Sequence, residues 1–180
     1  GQMWKNEQTK ELSGMKVILS DISEGMLSDA QKNLGGVRGP DFLFRRFDCQ
    51  NIPFSDKTID RVIANHVLFY VGSLQKALEE ICRVMKDDGI FYCSAYGKEH
   101  MKEVTMLVQE FDPRISLSEV NLFDMFGLDE GEAVLKRYFA DVKKIEYEDA
   151  LIVTEAEPLL DYILSCHGNQ NEILNNRQME

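Results

Sequence analysis

Met15-Lys16-Val17-Ile18-Leu19-Ser20-Asp21-Ile22-Ser23-Glu24-Gly25-Met26-Leu27 is the stretch that decides the fold. Val17, Ile18 and Leu19 crowd apolar side chains into a run of strand length, which predicts a strand over residues 15–20. Asp21 ends it. Ser23 then offers a hydroxyl to the free N–H groups of a helix start. That helix is predicted to run to about Asn33, where Gly35-Gly36 stops it. A strand that closes on a carboxylate and passes straight into a helix is the opening of an α/β unit.

The alternation repeats downstream. Asp41 to Phe47 predicts a second strand, followed by Asp48 and a loop containing Pro53. Ile59 to Ala64 predicts a third, almost wholly apolar after Asp60-Arg61 and so expected to be buried on both faces. Ser73 caps a helix in which Leu74, Ala77, Leu78, Ile81, Val84 and Met85 recur at helical spacing, and Asp87-Asp88-Gly89 stops it. Ile90 to Ala95 is the fourth strand. Such alternation predicts a mostly parallel sheet with helices on both faces. Upstream, residues 2–12 are polar and helix-compatible, with Met3, Trp4 and Leu12 as large apolar anchors, until Ser13-Gly14 breaks them.

The second half changes character. Residues 98–111 read as a helix broken by Asp112-Pro113, and 118–139 as one or two more. Val142 to Glu148 and Ala150 to Thr154 resemble two strands joined at Glu148-Asp149. Pro158 suits the first turn of a helix through about Ser165. The tail from His167, rich in Asn, Gln and Glu, is expected to lack fixed structure. The expected organisation is one domain over 1–166 with a tail over 167–180.

The chain has 180 residues, enough for one domain with a real core. Its net charge of −11, from 31 acidic and 20 basic residues, disfavours nucleic acid as a partner, since phosphate binding rests on Lys and Arg. Arg45-Arg46 makes no basic patch. No apolar run approaches the ~18 residues of a membrane span, and no signal peptide is visible, so the expected setting is cytoplasmic. Cys49, Cys82, Cys93 and Cys166 form no Cys-x-x-Cys pair, and His66, His100 and His167 show no His-x-x-x-His spacing. No metal site is expected, and the cysteines read as small core hydrophobes in a reducing compartment.

Three polar strand ends, Asp21, Asp48 and Asn65, fall on one edge of the predicted sheet, where ligands of open α/β sheets sit. In nucleotide-binding folds a carboxylate about 20 residues after a glycine-rich turn accepts from ribose hydroxyls. Asp21 stands at that spacing from Gly1. Asp48 suits an exocyclic amine, and a backbone N–H near Cys49 or Gln50 suits a ring nitrogen. Ile22, Met26 and Ile52 offer an apolar wall, so the group fits an adenosine.

On these residues the chain resembles the class I S-adenosylmethionine-dependent methyltransferases, in the small-molecule branch called methyltransferase type 11. The matching stretches are Val17 to Leu27, Asp48 to Asp60, Ile63-Ala64-Asn65-His66-Val67-Leu68, and Ala77 to Gly89 with its Ile81-Cys82-Arg83-Val84-Met85-Lys86 core. The resemblance implies a Rossmann-like three-layer α/β/α sandwich in strand order 3-2-1-4-5-7-6, with an antiparallel C-terminal hairpin. It implies S-adenosylmethionine as cofactor and a small-molecule methyl acceptor. Asp21 would bind the ribose, and Ile22, Met26, Asp48, Cys49 and Gln50 would surround the adenine. Asn65 would pass close to the methionine part, and Gly1 would be the last glycine of the loop. The family's central first strand and the rest of that loop are expected before Met3, so the chain reads as truncated. Two strand edges would then lie open, and self-association as a homodimer through them is expected.

His66, after the Asn65 strand end, is a candidate general base; its plainer reading is a histidine hydrogen-bonded locally. Tyr70 and His100 are the other catalytic candidates. Methyl transfer to a good nucleophile proceeds largely by positioning, so a dedicated base is not required. Two other functions fit less of the pattern. One is a non-catalytic methyltransferase-like domain that self-associates. The other is a dinucleotide-binding oxidoreductase, which does not need the carboxylate at Asp48.

Overall fold

The computed structural model describes residues 2–5, 12–120 and 122–177. Gly1 and most of the helix expected over 2–12 lie outside the described residues; Gln2–Lys5 forms a short 3-10 turn. The chain divides into two compact units, Gly1–Val62 with Gln75–Ile90, and Ile63–Leu74 with Phe91–Glu180.

In the first unit, strand β1 (Lys16–Asp21) leads into helix α1 (Glu24–Leu34) and strand β2 (Asp41–Arg46). Ser23 caps α1 as its sequence position requires, its hydroxyl accepting from the Met26 N–H at 3.4 Å. At the other end the Gly35 N–H closes on the Gln31 carbonyl, and Gly36 turns the chain away at φ +93°. β1 and β2 pair in parallel from Lys16↔Asp41 to Asp21↔Arg46, with α1 as the crossover. Trp4 presents its ring edge-on to Phe42 of β2 at 5.8 Å.

Strands β3 (Ile59–Asn65) and β4 (Met85–Ser94) form a second two-stranded sheet, joined through helix α2 (Leu74–Val84). The Lys57 N–H meets the Arg83 carbonyl, the Thr58 N–H that of Val84, and the His66 N–H that of Ser94. Partner numbers rise together, so the pairing is parallel. Ala77, Leu78, Ile81 and Val84 are the buried face of α2.

Two expectations about these elements are corrected. The fourth strand starts at Met85 rather than Ile90, so Asp87-Asp88-Gly89 is strand and not a helix stop. Continuing α2 would need the Arg83 and Val84 carbonyls for the N–H groups of Asp87 and Asp88; Lys57 and Thr58 take them instead, at 2.9 and 2.8 Å. A side chain at Gly89 would clash with Met85 Cγ and meet the Lys86 carbonyl at 2.9 Å and that of Asp60 at 3.1 Å, so this strand requires its glycine for space. β3 is not buried on both faces either: only Ala64 is buried, and Ile63 is 42% exposed. Among the described residues β3 pairs with β4 alone, and a two-stranded sheet cannot cover its own faces.

In the second unit, helix α3 (Lys102–Phe111) ends as expected at Asp112, which is buried and accepts from the Arg114 N–H, Nε and Nη2. Helices α4 (Leu122–Met125), α5 (Leu128–Leu135), α6 (Ala156–Ser165) and α7 (Gln170–Arg177) follow. Val108, Ile115 and Ile163 form an apolar core flanked by Val104, Leu117, Leu159 and Ile173.

Here too the structure departs from expectation. The strands predicted over 142–148 and 150–154 do not form; residues 141–155 run without helix or strand, with Ile152 91% and Tyr147 86% exposed. Alternating apolar residues make a strand only when an edge takes up their N–H and C=O groups. Among the described residues β4 pairs only with β3. Within the segment after His167, Gln170–Arg177 forms α7. His167 bridges Ser118, Gln170 is wholly buried, and Asn169 is held to Arg114 and Ser116 by its side-chain amide.

Candidate functional site

In the first unit, the parallel register of β1 and β2 ends at Asp21↔Arg46. Asp21 and the residues after Arg46 therefore leave the sheet at the same carboxyl edge, the ligand side of such sheets. Asp21 is half-buried, and its Oδ1 accepts the Ser23 N–H at 2.8 Å. Among the described residues no donor reaches its Oδ2, which leaves one carboxylate oxygen for a hydroxyl. Arg46 fixes the start of α1 beside it, donating from Nε to the Ile22 carbonyl at 2.9 Å.

Ile22 and Met26 come next, 63% and 60% exposed. Ile22 precedes the N-cap and Met26 lies in the first turn of α1, so both present apolar surface near the Asp21 carboxylate in sequence. Such surface gains free energy when a flat apolar ring covers it.

Asp48 closes a tight turn two residues beyond β2. Its Oδ1 accepts the Gln50 N–H at 2.8 Å, and the Gln50 amide donates to both carboxylate oxygens at 2.9 and 3.1 Å. The sequence placed Asp48 and Gln50 as separate contacts; the structure makes them one unit. Cys49 between them is half-buried, and burial followed by the Asp48 charge raises its thiol pKa.

In the second unit, Asn65 ends β3 and is exposed. His66 follows in the left-handed region at φ +51°, with its N–H donating to the Ser94 carbonyl and hydroxyl, both at 3.2 Å. Holding a non-glycine residue there costs roughly 1 kcal/mol, and such strain collects at functional positions. The His66 ring stacks on Tyr96 at 4.6 Å, and His100 stacks on Tyr96 at 4.2 Å. Phe69 packs against Tyr96 at 5.3 Å and meets Tyr70 edge-on at 4.7 Å. Of the three catalytic candidates, Tyr70 thus reaches only Phe69, while His66 and His100 stack on Tyr96, a residue the sequence reading passed over. Its spacing gave a faint signal: it stands two residues past the end of β4, as His66 stands one past β3. Burial, then the like charge of His66, lowers the His100 pKa.

Sequence reasoning also missed Glu80 and Arg83 of α2, a charged pair on a helix whose neighbouring positions are buried. Arg83 donates to the carbonyls of Ile52 and Phe54 and to the Asp56 carboxylate, each at 2.8 Å, and to Glu80. No group of three His, Cys, Asp or Glu side chains able to hold a metal comes together among the described residues.

The family described as "Methyltransferase domain" matches residues 5–93. The chain is 35% identical to a demethylmenaquinone methyltransferase of Symbiobacterium thermophilum over 46% of its own length and 34% of that protein. It is 29% identical to a malonyl-[acyl-carrier protein] O-methyltransferase of Legionella pneumophila over 87% of its length and 52% of that protein. It therefore spans between a third and about half of these relatives. A SAM dependent methyltransferase from Aquifex aeolicus superposes with a TM-score of 0.51 at 18% identity, covering 68% of this chain and 57% of that one. This likeness shows the fold, a Rossmann-like α/β arrangement.

Proposed function

We propose that the chain, whose residues 5–93 match the methyltransferase domain family, binds S-adenosylmethionine and serves transfer of the methyl group to a small-molecule acceptor. The observation that carries this reading is the pair of carboxylates, Asp21 and Asp48, leaving two adjacent parallel strands at one edge. S-adenosylmethionine supplies a methyl group on a sulfonium, an electrophile open to displacement by a lone pair. The residues present fit it. The free Oδ2 of Asp21 accepts a ribose hydroxyl, and the exposed Ile22 and Met26 side chains pack on adenine. The Asp48–Gln50 turn, closed by the Gln50 N–H on Asp48, offers a carboxylate to the exocyclic amine and the Cys49 backbone N–H to the ring. Asn65 is assigned to the methionine part on the resemblance alone.

The acceptor is a small molecule by analogy with relatives named for demethylmenaquinone and for a malonyl group on its carrier protein. His66 and His100, stacked on Tyr96, are the groups proposed to orient it or take its proton. The four cysteines, all free, suit a reducing cytoplasm, and no described helix is long and apolar enough to cross a membrane.

Thermal melting with added nucleotides tests the reading. S-adenosylhomocysteine at a hundred times its Kd should stabilise the fold by about 2.7 kcal/mol, a rise of roughly 5–10 °C in Tm, while NAD should give none. A shift with NAD and none with S-adenosylhomocysteine would favour the oxidoreductase instead.

A second reading is favoured by the sheet pairings. Among the described residues β1 pairs only with β2, and β3 only with β4, so each strand has a strand neighbour on one side only. Self-association through these edges is the partner reading they support. Light scattering that finds a monomer up to millimolar concentration removes it.

A further inference from the structure

Ile52 lies two residues beyond the Asp48–Gln50 turn and is held on both sides of its backbone. Its N–H donates to Glu80 Oε2 at 2.7 Å, and its carbonyl accepts from Arg83 Nη2 at 2.8 Å. Glu80 and Arg83 are joined by two contacts of 2.7 and 2.8 Å, and Arg83 Nη1 reaches on to the Phe54 carbonyl and Asp56. One guanidinium thus gathers three points of a five-residue stretch and ties them to α2, whose neighbouring Ile81 and Val84 are buried. The pairing favours the charged form of both groups: Arg83, then the Ile52 N–H, lowers the Glu80 pKa, while Glu80 and Asp56 raise that of Arg83.

A lysine could not do this, since it lacks the planar fork that serves carbonyls and carboxylates together. Nor is the network needed to end the helix or pair the strands; those bonds are made by backbone groups of Lys57 and Thr58. Its contacts outside α2 all go to this loop. With Ile52 pinned, the segment from β2 to Ile52 has both ends fixed, and the Asp48–Gln50 turn keeps one conformation without a ligand.

We infer that Arg83 and Glu80 are positioning residues that preorganise the Asp48–Gln50 turn for the nucleoside, through contacts to the Ile52 backbone. The inference rests on the cofactor reading above. Loss of the fork leaves Asp48 in place chemically but lets its turn sample other conformations, so part of the binding free energy goes into ordering it.

The experiment is a double-mutant cycle read by calorimetry with S-adenosylhomocysteine, using R83Q, D48A, D21A and the pairs. R83Q should weaken binding roughly five- to twentyfold. It should cost little more in the D48A background, because the turn has then lost its contact, and its full effect should persist in the D21A background. A merely structural role would add the same loss in all three backgrounds, and that result overturns the inference. E80Q, which keeps an oxygen for the Ile52 N–H, should fall between wild type and R83Q; it carries the same cycle if R83Q fails to fold. Cys49 alkylation without ligand supplies a second readout: it should quicken in R83Q as the turn opens, and an unchanged rate contradicts the inference. Should the wild-type protein not bind S-adenosylhomocysteine, the cofactor reading falls and this inference with it. Binding by wild type with unchanged affinity in R83Q overturns the inference alone.

Discussion

Tyr96 and His100 lie face to face, their ring centroids 4.2 Å apart and their planes inclined by 20°. The stack takes one face of the imidazole out of water. Burial first, and the charge of His66 second, hold His100 below its ordinary value of 6.5. In the folded state His100 therefore binds fewer protons than in the unfolded chain just below that pH. Its contribution to stability is unchanged above 6.5 and is lost as pH falls from there through the folded pKa. Imidazole NMR should show His100 titrating below 6.5 and moving part of the way back in H66N. A midpoint at or above 6.5 would mean that the stack does not persist in solution.

Cys49 gives a second titration, tied to the nucleoside-side group. Its thiol is raised by burial and then by the Asp48 charge. D48N removes the second cause, so alkylation of Cys49 at pH 8 should become faster, and saturating S-adenosylhomocysteine should slow it in the wild-type protein. Faster alkylation on adding the nucleoside would place it elsewhere.

The first α/β unit was legible in the sequence because its signals are local. Ser23 caps α1, Gly35-Gly36 ends it, and the apolar runs flanking it are short. The errors came where pairing decides. Nothing near Met85 says that Lys57 and Thr58 will take the carbonyls of Arg83 and Val84 and turn Asp87-Asp88-Gly89 into strand. Residues 142–154 carry a strand pattern, yet a pattern does not supply the edge it needs. Of the candidate site, Asp21, Asp48 and His66 are legible as polar groups ending predicted strands. The Arg83 fork could not, since its acceptors are backbone carbonyls with no residue signature. The stacking of His66 and His100 on Tyr96 is likewise a tertiary fact.

Gly89 makes the β4 correction testable. In G89A the new methyl group would clash with Met85 Cγ and sit 2.9 Å from the Lys86 carbonyl and 3.1 Å from that of Asp60. Backbone cannot move aside cheaply, so urea unfolding should show a loss of about 1–3 kcal/mol. A neutral or stabilising G89A would mean that this close packing around Gly89 does not persist in solution.

The extended stretch 141–155 should be the first place a protease cuts. Tyr147 is 86% exposed, Leu151 74% and Ile152 91%, and no helix or strand protects their backbone. Brief chymotrypsin treatment, followed by mass spectrometry, should release fragments ending at Tyr147 or Leu151 before any cut within α2. Resistance there would mean that the two strands pair in solution after all.

The central claim is that Asp21 holds the ribose of S-adenosylmethionine. Calorimetry on wild type, D21A and D21N measures it directly, since D21N keeps an oxygen for the Ser23 N–H and so separates ligand contact from the local turn. Both variants should bind more weakly, D21A by about 1.5–3 kcal/mol, or roughly ten- to a hundredfold in Kd, with melting temperatures near wild type for D21N. Unchanged affinity in both would remove Asp21 from the site and the account with it.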